Sequence, residues 1–267
     1  MPQQLTLPTG ETLDYEISGV KNGFPFIWLH GTPGACTAIP SLVRACENKD
    51  LQLITFSRAG YGGSSRRKGR KVVDEAAVVQ ELLNKLGHER CYVGGWSGGG
   101  PHALACAARL KGYVDETNAS LQGEEVLRKF VEPQRAELLA ADVKGVVEVM
   151  SSILPEADRK VMLENDEVGQ ETVNSFREGL KNGCDGWVDD DMAFIHPWGF
   201  ELSEVKCPVF MYHGETDLMV PFAHGKWIAK EIPAKHLTAH MQPGHGHISI
   251  FMGQVDSMVD ELIAVGR

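Results

Sequence analysis

Apolar positions follow two rhythms that alternate along the first third of the chain. Short runs read as strands over Thr12 to Ser18, Phe26 to His30, Leu51 to Ser57 and Cys91 to Gly94, each bounded by polar residues or glycine. From Val72 to Leu86 the spacing turns helical, with Val72, Val73, Ala76, Val79, Leu82, Leu83 and Leu86 apolar and Gly87 placed to close the helix. An alanine-rich helix follows the fourth strand and runs through Leu110. Strands that alternate with helices predict βαβ units and a mostly parallel sheet, an α/β fold.

The rhythm changes between about 115 and 200. Strand signals vanish, and helical segments are predicted over Glu124 to Ala140, Val143 to Leu154, Ala157 to Asn165 and Glu171 to Lys181. After Pro208 the alternation resumes with a strand at Val209 to His213, a helix from Phe222 to Glu231, a strand at Leu237 to Gln242 and a last helix ending near Val265. The expected organisation is therefore an α/β core from 1–114 and 201–267, interrupted by a helical cap at 115–200.

Charge and cysteine usage narrow the function classes. The 267 residues carry 26 basic and 36 acidic side chains, a formal charge of −10, which argues against nucleic acid or an anionic membrane as the main partner. A small-molecule substrate is the expected partner. No apolar run reaches 18 residues and the first residues lack a basic, then apolar, leader pattern, so a cytoplasmic location is expected. The six cysteines have no C-x-x-C spacing and several sit in apolar runs, so neither a metal nor a disulfide is expected. No cofactor is expected either. Two charged runs receive plain readings: Arg66-Arg67-Lys68-Gly69-Arg70-Lys71 as a solvated loop entering a helix, and Asp189-Asp190-Asp191 as a solvated or capping cluster.

The chemistry centres on Gly95-Trp96-Ser97-Gly98-Gly99, a G-x-S-x-G between a strand and a helix. A serine on so sharp a turn needs small neighbours, and the helix start supplies N–H groups for a developing oxyanion. A nucleophilic serine also needs a base, and the base needs an orienting acid. His213-Gly214-Glu215-Thr216-Asp217 follows one later strand and Pro243-Gly244-His245-Gly246-His247 the next. Strand ends on one side of a parallel sheet open onto the same crevice. Asp217 is the favoured acid over Glu215, which sits earlier on the turn. His247 is favoured over His245 because Ile248-Ser249-Ile250-Phe251 reads as the start of the closing helix.

These residues resemble the α/β-hydrolase superfamily of serine hydrolases. The resemblance runs through His30-Gly31-Thr32-Pro33-Gly34, Arg58-Ala59-Gly60-Tyr61-Gly62-Gly63-Ser64, the serine turn and the His213-to-Pro221 segment. It implies an acyl-transfer triad of Ser97, Asp217 and His247, with an oxyanion hole built from the backbone N–H groups of Thr32 and Gly98. It also implies an extended strand between the helix after Ser97 and the cap, yet only Tyr113-Val114 is apolar there. One central strand is thus expected to be short or missing. Trp96, Trp187, Phe194 and Trp198 are candidate substrate-binding aromatics.

A serine nucleophile excludes the aspartate-dependent branches of that superfamily. The two glycine-rich loops are similar to proline-aminopeptidase-like members. Ester or lactone hydrolysis is nevertheless the leading expectation, because it needs the triad and oxyanion hole but no dedicated carboxylate for a substrate amine. The alternatives are an aminopeptidase-like amide hydrolase and a non-catalytic ligand receptor built on the same fold.

Overall fold

A computed structural model describes residues 2–109 and 124–266. Seven strands occur among the described residues: β1 (Gln3–Thr6), β2 (Thr12–Gly19), β3 (Phe24–Leu29), β4 (Leu51–Phe56), β5 (Tyr92–Gly95), β6 (Val209–Gly214) and β7 (Leu237–Gln242). The first five form one sheet in the order β1-β2-β4-β3-β5, antiparallel at β1/β2 and β2/β4 and parallel at β3/β4 and β3/β5. Strands β6 and β7 pair in parallel. The expected short strand at Tyr113-Val114 lies outside the described residues.

Strand β3 explains why the sheet is covered on both faces. Its residues alternate between two apolar layers, as side chains of a strand must. Ile27 and Leu29 pack with Ile54, Phe56, Val79 and Leu82 on the side of helices α2 (Asp74–Leu86) and α3 (Gly99–Arg109). Phe26 and Trp28 pack with Leu42, Leu53, Phe251 and Val259 on the side of α1 (Pro40–Asn48) and α10 (Val255–Ala264). Gly87, at φ 78°, terminates α2 in the left-handed conformation that its position in the sequence predicts.

A run of helices follows: α4 (Glu124–Ala140), α5 (Val143–Val149), α6 (Glu156–Glu164), α7 (Asp166–Leu180) and α8 (Asp185–Phe194). Leu138, Val146, Leu154, Met162, Val173, Phe176 and Leu180 give them a shared core, into which Ile248 of the loop after β7 inserts. Helix α5 stops at Val149, short of the expected Leu154, and turns carry the chain to Pro155. Helix α7 starts earlier than expected because the Asn165 side chain accepts the Val168 N–H (3.3 Å) and caps it. Helix α8 escapes the apolar pattern altogether, since Asp189 and Asp190 occupy buried positions. Helix α9 (Phe222–Glu231) agrees with its expectation, whereas the closing helix α10 begins at Val255, and residues 248–251 form turns instead. No helix among the described residues is long and apolar enough to cross a membrane.

Candidate active site

Ser97 sits where β5 gives way to α3, with φ at +55°, a left-handed conformation that a non-glycine residue adopts only under constraint. The constraint is close packing. A side chain on Gly95 would run into the Gly99 carbonyl, and one on Gly99 into the Leu29 carbonyl. A Cβ on Gly98 would strike the Thr32 hydroxyl and lie 3.2 Å from the Phe194 ring. The small residues of the serine turn are thus required by contact with the end of β3 and with the helical segment. The N–H groups of Thr32 and Gly98 have no hydrogen-bond acceptor among the described residues.

Asp217 and His247 meet although they come from different loops. His247 Nδ1 lies 2.7 Å from Asp217 Oδ2, with both side chains buried. Asp217 Oδ1 accepts the N–H groups of Met219 (2.9 Å) and Val220 (2.8 Å), which fixes the carboxylate plane. Burial pushes the Asp217 carboxyl up, but the hydrogen bond and charge of His247 and the two backbone donors outweigh it, and the group lies below its ordinary range. A carboxylate only accepts, so Nδ1 carries the shared proton, and in the neutral imidazole that leaves the lone pair on Nε2. That Nε2 is buried and has no hydrogen-bond partner among the described residues.

The overlapping Gly-His pairs part company here. His245 turns back on its own loop, its Nδ1 3.0 Å from the Ser249 carbonyl. Its carbonyl accepts the N–H (2.9 Å) and hydroxyl (2.8 Å) of Thr216, zipping the acid loop to the base loop. Glu215 is exposed, whereas Asp217 is buried.

The aromatic candidates divide. Trp96 lies 5.5 Å from the His247 ring and stacks on Phe251, and its indole N–H donates to the His247 carbonyl (3.2 Å). Trp187 and Phe194 project from α8 into the cavity that also exposes Ser97 and His247. Trp198 borders the same cavity but packs with Val72, Ala105 and Phe200, its indole N–H on the Phe194 carbonyl (3.3 Å).

Two readings of charged runs need correction. Asp190 is fully buried behind the Thr32 loop, where it accepts Thr32 Oγ1 (2.6 Å), Arg58 (2.6 Å), the Tyr61 hydroxyl (2.9 Å) and Arg70 (2.5 Å). Burial would raise its carboxyl, but Arg58 and Arg70 hold it well below the usual carboxylate range. Arg58 also donates to the carbonyls of His30 and Gly31. His30 is locked neutral by burial and by Arg58, its Nδ1 2.6 Å from the Gly31 carbonyl and its Nε2 accepting the Arg58 N–H at 3.1 Å. The basic run is a loop entering α2 as expected, and Lys68 and Gly69 are exposed, but Arg70 is buried and Arg66 and Arg67 are paired rather than solvated. Arg66 chelates Asp189 (2.8 and 2.9 Å), and Arg67 and Lys68 pair with Glu11 and Glu124. Sequence reasoning missed Asp190; the available signal was a pair of arginines, Arg58 and Arg70, on either side of the glycine-rich loop, with Glu75 as the acid near the second.

Asp191, one residue on, lines the cavity. Burial, then the charge of Asp190, raise it to about 7. It forms no ion pair among the described residues.

Known proteins agree with this architecture. A family profile described as alpha/beta hydrolase fold matches residues 25–117. The chain is 26% identical to the uncharacterized hydrolase YcgS of Bacillus subtilis over 134 residues, covering 50% of this chain and 45% of YcgS. It is 27% identical to the human serine hydrolase BPHL over 215 residues, covering 75% of this chain and 65% of BPHL. The chain thus spans about half to two thirds of the length of these two relatives. The crystal structure of the enol-lactonase from Burkholderia xenovorans LB400 superposes with a TM-score of 0.70 at 20% identity, covering 98% of each chain.

Proposed function

From membership of the α/β-hydrolase superfamily, we propose that the protein is a serine hydrolase that cleaves a carboxylic ester or lactone through an acyl-enzyme. The observation that carries this reading is the His247 imidazole: Nδ1 is held by Asp217 while buried Nε2 has no partner. Ser97 Oγ attacks the substrate carbonyl and Nε2 takes its proton. The N–H groups of Thr32 and Gly98 receive the oxyanion, and the imidazolium then protonates the departing alkoxide. Water, activated by the same Nε2, releases the acid and restores Ser97. Helices α4–α8 act as the cap, and Trp96, Trp187 and Phe194 form the apolar wall for the acyl or alkyl group, with Trp198 packed behind Phe194. The serine hydrolase BPHL and the enol-lactonase support this choice by what their names record.

A second reading, aminopeptidase-like cleavage of amine-bearing substrates, rests on Asp191. A carboxyl raised to about 7 beside the pocket is drawn to its ionised form by a bound ammonium.

One set of variants tests both. Ser97→Ala abolishes labelling by a fluorophosphonate probe. His247→Ala lowers ester turnover by about 10³-fold or more, and His245→Ala by far less. Labelling that survives Ser97→Ala, or a reversed order of the two histidines, overturns the triad. Asp191→Asn lowers kcat/KM for an aminoacyl ester but leaves its desamino analogue unchanged if the second reading holds.

A further inference from the structure

The helical segment sends a second carboxylate to the base loop. Asp158, in the first turn of α6, is fully buried. Its Oδ2 accepts the His247 backbone N–H (2.7 Å), and its Oδ1 accepts the N–H (2.8 Å) and the hydroxyl (2.7 Å) of Ser249. It therefore grips the chain on both sides of Ile248. The approach depends on Gly246, where a Cβ would lie 2.6 Å from both carboxylate oxygens and 2.5 Å from the Pro155 ring. Ser249 Oγ in turn accepts the Gly246 N–H at 2.8 Å, closing a ring of hydrogen bonds around the carboxylate. Asp158 forms no salt bridge among the described residues. All of its compensation comes from the loop that carries the imidazole.

We infer that Asp158 is a positioning residue for the proposed hydrolysis: the cap itself sets the backbone of His247, and thereby the direction in which Nε2 points. Asp217 fixes the rotation of the ring, and Asp158 fixes the main chain from which the ring hangs. The same contact makes the seating of α6 and the alignment of the base one event, since α6 cannot withdraw without releasing two N–H groups. This inference rests on the triad reading above.

Asp158→Asn is the informative change because it keeps the size while turning an amide N–H toward an N–H donor. A displacement of about 1 Å at a general base costs about 10²-fold in rate. The expected result is a fall of that order in kcat for an activated phenyl ester, an equal fall in the fluorophosphonate labelling rate, and a KM within about twofold. The decisive readout is the double variant. In a His247→Ala background, Asp158→Asn changes the residual rate by less than about twofold, because the group it positions is gone. A loss that persists undiminished in that background, or a loss confined to KM, overturns the positioning role. If Asp158→Asn does not fold, Ser249→Ala with and without His247→Ala carries the same comparison, with a smaller fall of a few fold expected only when His247 is present. If His247→Ala itself leaves turnover intact, the triad reading fails, and this inference with it.

Discussion

Two carboxylates leave the helical segment for the core, and the surroundings that accept them differ. Asp190 enters behind the Thr32 loop and meets two guanidinium groups, a phenol and a threonine hydroxyl. Asp158 enters behind the His247 loop and meets only two backbone N–H groups and a serine hydroxyl. A buried charge must be compensated, by opposite charge or by oriented dipoles. The difference teaches what each contact can do. The Asp190 cluster is a rigid knot of full charges that binds three segments of the chain. The Asp158 contact is directional, with every bond aimed at one short piece of backbone.

Removing each carboxylate separates the two. Asp190→Ala leaves Arg58, whose side chain has no exposed surface, with carbonyl acceptors but no carboxylate, and leaves Arg70 with Glu75 alone at 4.0 Å; the expected loss of stability is about 3–5 kcal/mol. Asp158→Ala strands two N–H groups and a hydroxyl, for an expected loss of about 2 kcal/mol. Urea unfolding of both variants checks the order. Equal losses, or a larger one at Asp158, would mean that the arginines find other partners and the contrast is wrong.

Arg66 sharpens the picture at the rim of the same region. It pairs with Asp189, Glu124 and Asp185, but its side chain keeps 26% of its exposure. Its own guanidinium is held further in the charged form, chiefly by the Asp189 hydrogen bond. Arg66→Ala is expected to cost about 1 kcal/mol at low salt and less at high salt, as a partly solvated network should. The Asp190 loss, in contrast, is expected to be insensitive to salt. Salt titrations of the two variants check this, and a salt-sensitive Asp190→Ala would break the distinction.

How much of this was legible beforehand follows from distance along the chain. The serine turn is written in consecutive residues, because the strain at Ser97 and the small neighbours it needs occupy 95–99. Asp217 and His247 could be paired because each ends a strand of one parallel sheet, so topology brings them together. Asp190 and Asp158 had no such marker. Their partners lie 132 residues away at Arg58 and 89 away at His247, and a lone acid on a helix reads as surface. Helix α8 was missed for the same reason, since its buried face carries carboxylates where the apolar pattern expects leucines. The basic run at 66–71 looked solvated because the acids that neutralise it at 124 and 185–190 were counted as another segment's surface.

The smallest expected effect concerns a third carboxyl of the helical segment, one that lacks both kinds of compensation. Glu171, on α7, is pushed up to about 7 by burial, with the charges of Glu16 and Glu167 adding to it. Its Oε1 is buried without a hydrogen-bond partner among the described residues. The folded chain therefore holds this proton up to about pH 7, while the unfolded chain releases it near its ordinary value of 4.5. Between those values the folded state binds more protons, so stability falls as the pH rises through the window and levels off above it. Glu171→Gln removes the fall. The variant should match the parent near pH 4.5 and exceed it near pH 8 by about 1 kcal/mol, after allowance for partial exposure, or roughly 2 °C in Tm. Asp191, also raised to about 7, leaves a residual slope of the same sign in the variant. Thermal melts across that range check the prediction, and a gain that is equal at both ends would assign the effect to packing at α7, since only an ionising group makes it depend on pH.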